Sequence, residues 1–288
     1  MSGRIRVAVT AFAAVLFIGS AAAHARSPEM AALQTALRAT GDYAGTIDGI
    51  DGPDTRAAVR RFQPRHGLVA DGIAGPATLQ ALGARGRPAL GSRMVGATGT
   101  RGWDVAGLQF LLGLHGFSSG SVDGAYGAET RSAVTRFQAW AGLVNDGIAG
   151  ASTFAALRGA APRSPLRFLR PVDAPRTDGF GPRGDRMHTG HDFPARFGAP
   201  VRSAGRGCVA FTGWRERYGI TVIMRHRLGV TSWYAHLSLT AVLRGTCLAA
   251  GVRIGSVGST GHSTGPHLHF EVRLRGAAVD PEGTYGSY

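Results

Sequence analysis

The chain repeats itself. Residues 33–82 align without a gap to residues 108–157, an offset of 75, and about half of the aligned positions are identical. The clearest block sets Thr55-Arg56-Ala57-Ala58-Val59-Arg60-Arg61-Phe62-Gln63 against Thr130-Arg131-Ser132-Ala133-Val134-Thr135-Arg136-Phe137-Gln138. A second block pairs Asp71-Gly72-Ile73-Ala74-Gly75 with Asp146-Gly147-Ile148-Ala149-Gly150. Self-similarity over so long a stretch implies two copies of one structural unit. Each copy reads as helical. Leu33 and Leu37, and in the second copy Leu108, Leu111 and Leu112, recur at helical spacing, and a glycine turn follows at Asp48-Gly49 and Asp123-Gly124. Val59 with Phe62, and Val134 with Phe137, mark one face of a second helix, and a last short helix is expected to start near Thr78 and Thr153. Units this small need all of these apolar side chains for packing, so they read as core rather than ligand contacts.

The repeats resemble the peptidoglycan-binding domain of bacterial wall hydrolases. The residues that carry the likeness are Leu33-Gln34 and Leu108-Gln109, the Asp-Gly turns, the Thr-Arg…Phe-Gln helices and the closing Asp-Gly-Ile-Ala-Gly. The resemblance implies a small all-α three-helix fold that grips wall glycopeptide without catalysis. Gly83 to Gly102, rich in Gly, Arg and Pro, reads as a linker, and Arg158 to Ser164 as a second break. Beyond it, helical periodicity gives way to period-2 segments between Gly and Pro turns, so a β-rich domain is expected to run to the end of the chain.

The chemistry lies in that last region. In Gly265-Pro266-His267-Leu268-His269-Phe270-Glu271-Val272-Arg273 the side chains of a strand alternate. His267, His269, Glu271 and Arg273 therefore share one face, and Leu268, Phe270 and Val272 the other. A similar alternation in Trp233-Tyr234-Ala235-His236-Leu237-Ser238 is expected to put Tyr234, His236 and Ser238 on the polar side. Earlier stands His188-Thr189-Gly190-His191-Asp192, with a histidine and a carboxylate four apart. These N and O donors suit zinc, and a catalytic zinc site takes three protein ligands and keeps one position open. His188, Asp192 and one of the pair His267/His269 supply such a set. The other histidines have plainer readings. His66 and His115 are expected at the surface of the repeats, His226 ends a strand, His191 points away from Asp192, and His262 sits in a glycine loop.

From about Leu166 to Pro281 the sequence resembles the lysostaphin-type (LytM-type) zinc endopeptidases of cell wall. The landmarks are Gly179-Phe180-Gly181 with Arg183, His188-x-Gly190-x-Asp192, Tyr234-Ala235-His236-Leu237, and Gly258-Ser259-Thr260-Gly261 through Gly265-Pro266-His267-Leu268-His269-Phe270. The resemblance implies an antiparallel-sheet zinc peptidase in which His188, Asp192 and His269 hold the metal. It makes His236 and His267 the catalytic histidines beside it. No functional position of that pattern is missing. This weighs against the alternative, a wall-binding regulator of another peptidoglycan hydrolase.

The start of the chain reads as an export signal: Arg4 and Arg6, an apolar run from Val7 to Gly19, and the small-x-small pattern Ala23-His24-Ala25. The run is too short and interrupted for a stable membrane span. Export places the protein in a periplasm or an extracellular wall and argues against nucleic acid as the partner of its net charge of +14. Every one of its 32 basic residues is arginine, a bias that suggests a GC-rich coding sequence as much as selection for charge. The two cysteines, Cys208 and Cys247, have no CxxC neighbour and are compatible with one intrachain disulfide in an oxidising compartment. The expected organisation is a signal peptide over 1–25 and a first repeat over 26–84. Linker and second repeat follow over 85–159, and the peptidase domain over 165–288.

Overall fold

The structure is a computed structural model that describes residues 26–86 and 88–286. The expected signal peptide lies outside the described residues. Each repeat folds as three helices: α1 (Pro28–Ala39), α2 (Pro53–Phe62) and α3 (Pro76–Ala81), then α4 (Trp103–Leu114), α5 (Ala128–Ala141) and α6 (Ala151–Leu157). Pro28, Pro53 and Pro76 open the helices of the first repeat, where a fixed φ favours the helix and the missing N–H has no intrahelical partner to lose. The third helices thus begin two residues before Thr78 and Thr153.

The leucines and phenylalanines singled out above are buried. Helix α1 packs on its equivalent α4, and Trp103, Phe110 and Val122 of the second repeat complete the core of the first. His66 is exposed. His115 is not: its Nε2 meets the Leu157 carbonyl at 2.9 Å and its ring stands edge-on to Phe137. The bond through Nε2 lets the imidazole sit inside between the ends of α4 and α6, while its buried Nδ1 has no partner among the described residues.

The C-terminal region is β-rich. A hairpin of β1 (Gly181–Arg183) and β2 (Arg186–His188) stands beside a sheet of nine strands. These are β3 (His191–Pro194), β4 (Pro200–Arg202), β5 (Gly207–Arg215), β6 (Gly219–Arg225) and β7 (Val230–Thr240). They continue with β8 (Cys247–Leu248), β9 (Arg253–Val257), β10 (His267–Leu274) and β11 (Ala277–Val279). All pairings are antiparallel, in the order β11-β10-β7-β6-β5-β8, with β3 also on β10, β9 on β7 and β4 on β9. One face carries the core, with Phe193, Val222, Met224, Tyr234, Leu268, Phe270 and Val272. A disulfide joins Cys208 to Cys247, directly opposed residues of β5 and β8. No described helix is long and apolar enough to cross a membrane.

Helices and sheet meet at two places. The turn of the β1–β2 hairpin is held by both repeats through equivalent residues. Ile47 N–H donates to the Gly184 carbonyl at 2.8 Å, and Val122 N–H, 75 positions later, donates to the Asp185 carbonyl at 2.7 Å. Thr46 Oγ1 also accepts from Gly184 N–H. At the second place β11 packs on the second repeat: Ala277 joins that repeat's core, and Ala278 N–H donates to the Gly116 carbonyl at 3.2 Å.

Gly116 has a left-handed φ of +82°, and a Cβ there would run into the Ala278 backbone, whereas Gly41, at +79°, faces open space. Gly116→Ala is therefore expected to cost about 2–3 kcal/mol, about 1–2 of it from the left-handed backbone and the rest from the displaced contact. Gly41→Ala should show only the backbone share. Thermal unfolding of the two variants beside the parent checks this, and equal losses would mean that the Gly116 contact contributes nothing.

Candidate metal centre

The side chains of the site come from four neighbouring strands. Strand β3 pairs with β10 so that Asp192 lies opposite His269, and β7 pairs with the other side of β10 so that Ala235 also lies opposite His269. The hairpin delivers His188 from the end of β2. The strand alternation read from the sequence holds in β10. Leu268, Phe270 and Val272 are in the core, while His267, His269, Glu271 and Arg273 line the opposite face.

It fails in β7. Tyr234 is fully buried in the core against Phe270, its hydroxyl accepting from Ala204 N–H at 2.7 Å, so it is not on the polar side. Strict alternation would send His236 in after it. Instead His236 takes a left-handed φ of +58°, and the pairing with β6 shifts register between Ile220 and Val222. The bulge turns the imidazole back to the metal face, where it stands 4.7 Å from the His267 ring. A left-handed residue that is not glycine is strained, and here the strain aims a functional side chain.

His188 Nε2, Asp192 Oδ1 and His269 Nδ1 converge. Their separations are 3.2 Å (His188 to Asp192), 3.1 Å (His188 to His269) and 2.8 Å (His269 to Asp192). Three donors each about 2.0–2.1 Å from one tetrahedral ion would lie about 3.3 Å apart. The triangle is close to that size. Among the described residues this is the one group of three or more His, Cys, Asp or Glu side chains able to share an ion.

Each donor is held from behind. His188 Nδ1 donates to the Gly179 carbonyl at 2.7 Å, leaving Nε2 for the centre. His269 Nε2 donates to Glu271 Oε1 at 3.0 Å, leaving Nδ1. Arg183 occupies the second oxygen of Asp192 at 2.6 Å, so a single oxygen is presented. Glu271 is fully buried and also accepts from Thr189 Oγ1, Tyr218 OH and Arg273 Nε. Burial works against its charge, but Arg273 and the His269 ring override it and hold the carboxyl well below its usual range. Fixed tautomers backed by a carboxylate and a carbonyl are what metal-binding imidazoles carry behind them.

His236 and His267 sit beside the trio. His236 Nδ1 donates to the Thr260 carbonyl at 2.8 Å, and His267 Nδ1 to the Gly265 carbonyl at 2.8 Å. With Nδ1 donating, the free lone pair of a neutral imidazole in either place is on Nε2. His267 Nε2 stands 3.8 Å from Asp192 Oδ1. Burial pushes the His236 pKa down to about 4, so the ring is neutral near pH 7. The remaining histidines are elsewhere. His191 is buried on the far side with Asp280 and Tyr285, His226 binds the Arg206 carbonyl and Ser232, and His262 is exposed.

The sequence reading missed the supports. Arg183 entered it only as a landmark, and Glu271 only as a residue on the right face. The periodicity that placed Glu271 two residues beyond His269 was the signal available. Nothing marked the Thr260 carbonyl.

Residues 186–281 match the model of peptidase family M23, and residues 26–82 and 101–157 each match a peptidoglycan binding domain model. The chain carries a peptidase family M23 domain behind two peptidoglycan binding domains. The DD-carboxypeptidase/endopeptidase Mpg of Neisseria meningitidis serogroup B is 48% identical over 96 residues, which are 33% of this chain and 22% of that protein. The chain thus spans about a fifth of the length of this curated relative. A zinc containing peptidase from Vibrio cholerae is 36% identical, with a TM-score of 0.38 over 40% of this chain and 39% of that one. The catalytic domain of lysostaphin from Staphylococcus simulans is 35% identical, with a TM-score of 0.36 over 38% of this chain and 90% of that one. Helical binding domains followed by an antiparallel M23 domain are the architecture of the molecule.

Proposed function

We propose that the protein is an exported zinc endopeptidase that hydrolyses peptide bonds in the cross-links or stems of peptidoglycan, held on the wall by its two repeats. The observation that carries this reading is the converging trio of His188, Asp192 and His269 with two further imidazoles beside it. The donor set is two nitrogens and one carboxylate oxygen, which suits zinc in a site with one position left open. His188 Nε2, Asp192 Oδ1 and His269 Nδ1 would hold the ion, which when bound supplies Lewis acidity toward a scissile carbonyl and its attacking water.

The remaining chemistry belongs to His236 and His267. Their Nε2 lone pairs can accept the proton of the attacking water, and the imidazolium so formed can return it to the leaving amine. Since neutral His236 has no proton on Nε2, it acts first as an acceptor. Only after protonation can it donate to a developing oxyanion. Arg183 and Glu271 act by positioning the donors. The Cys208–Cys247 disulfide agrees with an oxidising compartment outside the cytoplasm, which is where peptidoglycan lies.

The test digests isolated peptidoglycan with the full chain and identifies released muropeptides by mass spectrometry. New amine ends should appear with the zinc-loaded protein, vanish on chelation and return with zinc. Activity indifferent to chelation would end the metallopeptidase reading. Binding to wall with no cleavage under any metal would leave the regulatory alternative in its place.

A further inference from the structure

The two repeats contain not two but four copies of one turn. In each, a buried glutamine side chain donates through Nε2 to an aspartate Oδ1, to the carbonyl two residues after that aspartate, and to a threonine hydroxyl seven residues after it. Its Oε1 accepts the N–H of the intervening glycine. The sets are Gln34 with Asp48, Gly49 and Thr55, and Gln63 with Asp71, Gly72 and Thr78. The second repeat has Gln109 with Asp123, Gly124 and Thr130, and Gln138 with Asp146, Gly147 and Thr153. All sixteen distances lie between 2.7 and 3.2 Å.

The first turn of each repeat is occupied. The residue before its aspartate, Ile47 or Val122, donates its N–H to a backbone carbonyl of the β1–β2 turn, and the residue before that, Thr46 or Ser121, also meets the hairpin. The second turn of each repeat is open. The equivalent amides, Ala70 and Asn145, bond to no described residue and belong to exposed residues. In the place of Thr46 and Ser121 stand Val69 and Val144, 81% and 80% exposed, with Ile73 and Ile148 beside them, also exposed. Both copies keep the valine in water, where it forgoes about 1.5–3 kcal/mol of burial, and Ile73 is likewise exposed while Ile148 is partly covered by Gly96. Arg60 lies against Gly72 and Arg131 against Gly147, placing a positive charge at each turn.

We propose that these two open turns are the wall-binding sites, and that each takes a backbone carbonyl of a stem peptide as its first-turn counterpart takes a carbonyl of the hairpin. The Ala70 and Asn145 amides donate to a peptide carbonyl, Val69 with Ile73 and Val144 with Ile148 pack on alanyl methyl groups, and Arg60 and Arg131 meet the peptide's carboxylates. Among the described residues no exposed phenylalanine, tyrosine or tryptophan belongs to either repeat, which favours the peptide over a stacked sugar. This rests on the reading of the repeats as peptidoglycan binding domains.

The test is cosedimentation of the full chain with isolated peptidoglycan. Val69→Asp and Val144→Asp should each weaken binding about tenfold, and the pair about a hundredfold, because linked sites multiply. Leu243→Asp, a 77% exposed residue of the M23 domain, should bind as the parent does. Unchanged melting of the variants keeps folding out of the result. A synthetic stem tetrapeptide should displace the parent, and glycan strands stripped of peptide should not. A parent that fails to sediment would sink both this proposal and the wall-binding reading. Parent-like binding by the double variant, or displacement by bare glycan alone, would sink only the proposal.

Discussion

His269→Ala is expected to cut peptide-bond hydrolysis at least a thousandfold, on whole peptidoglycan and on soluble muropeptides alike. The substitution removes one corner of the donor triangle, whose other two corners are 2.8 and 3.1 Å away. Lewis acidity is worth several kcal/mol to an amide hydrolysis, and at about 1.4 kcal/mol per tenfold that is a factor of about 10³ or more. His267→Ala is expected to lower turnover too, by about 10²–10⁴ as for a lost general acid or base, but for a different reason. Its Nε2 is 3.8 Å from Asp192 Oδ1 and outside the triangle. Metal content of the purified proteins separates the two: the His267 variant should keep its zinc and the His269 variant should not. The opposite pattern would exchange the roles given to the two histidines of β10.

The second large effect is expected at Glu271. Its carboxylate is fully buried and gathers His269, Thr189, Tyr218 and Arg273. Glu271→Ala would leave the Arg273 guanidinium, itself largely covered, without its partner. Breaking a buried pair from one side costs about 3–5 kcal/mol. At about 2–4 °C per kcal/mol, melting should fall by roughly 10 °C. The same substitution frees the His269 ring, and a lost partner behind a metal-binding imidazole typically weakens metal affinity about 10–100-fold. Glu271→Gln keeps the shape and an acceptor and should recover part of both losses. Competition against a chromogenic chelator reads the affinity, and unfolding in chelator reads the stability without the metal. A variant that melts early but holds zinc as tightly as the parent would confine Glu271 to a structural role.

Much of this site was legible because strands impose a period of two. His267, His269 and Glu271 in one β-strand had to share a face, and β10 obeys. The same rule misplaced Tyr234, because a single left-handed residue at His236 resets the alternation and leaves no mark in the residue types. The repeats were legible as repeats, down to the buried leucines and phenylalanines. The finer repetition was harder to see. The four glutamine-centred turns share only a glutamine, an Asp-Gly and a threonine, and the glutamine lies 14 residues before the aspartate in the first turn of each repeat but 8 before it in the second. His115 shows the other limit. Its burial depends on a carbonyl 42 residues away, at the end of another helix. Contacts between domains had no sequence signal at all, since Gly184 and Asp185 are ordinary turn residues until two amides are found donating to them.

That turn has an implication for how many repeats the chain can use in this way. It offers two successive backbone carbonyls, Gly184 and Asp185, and each is taken by the same position of a different copy. A connector with two sockets accepts two plugs. One repeat alone would leave a socket empty, and a third would find none. The copy number of the duplication and the geometry of a four-residue turn are therefore matched, and deletion of a whole repeat would alter the setting of His188 as well as the number of binding units, whereas an added repeat would change only the number.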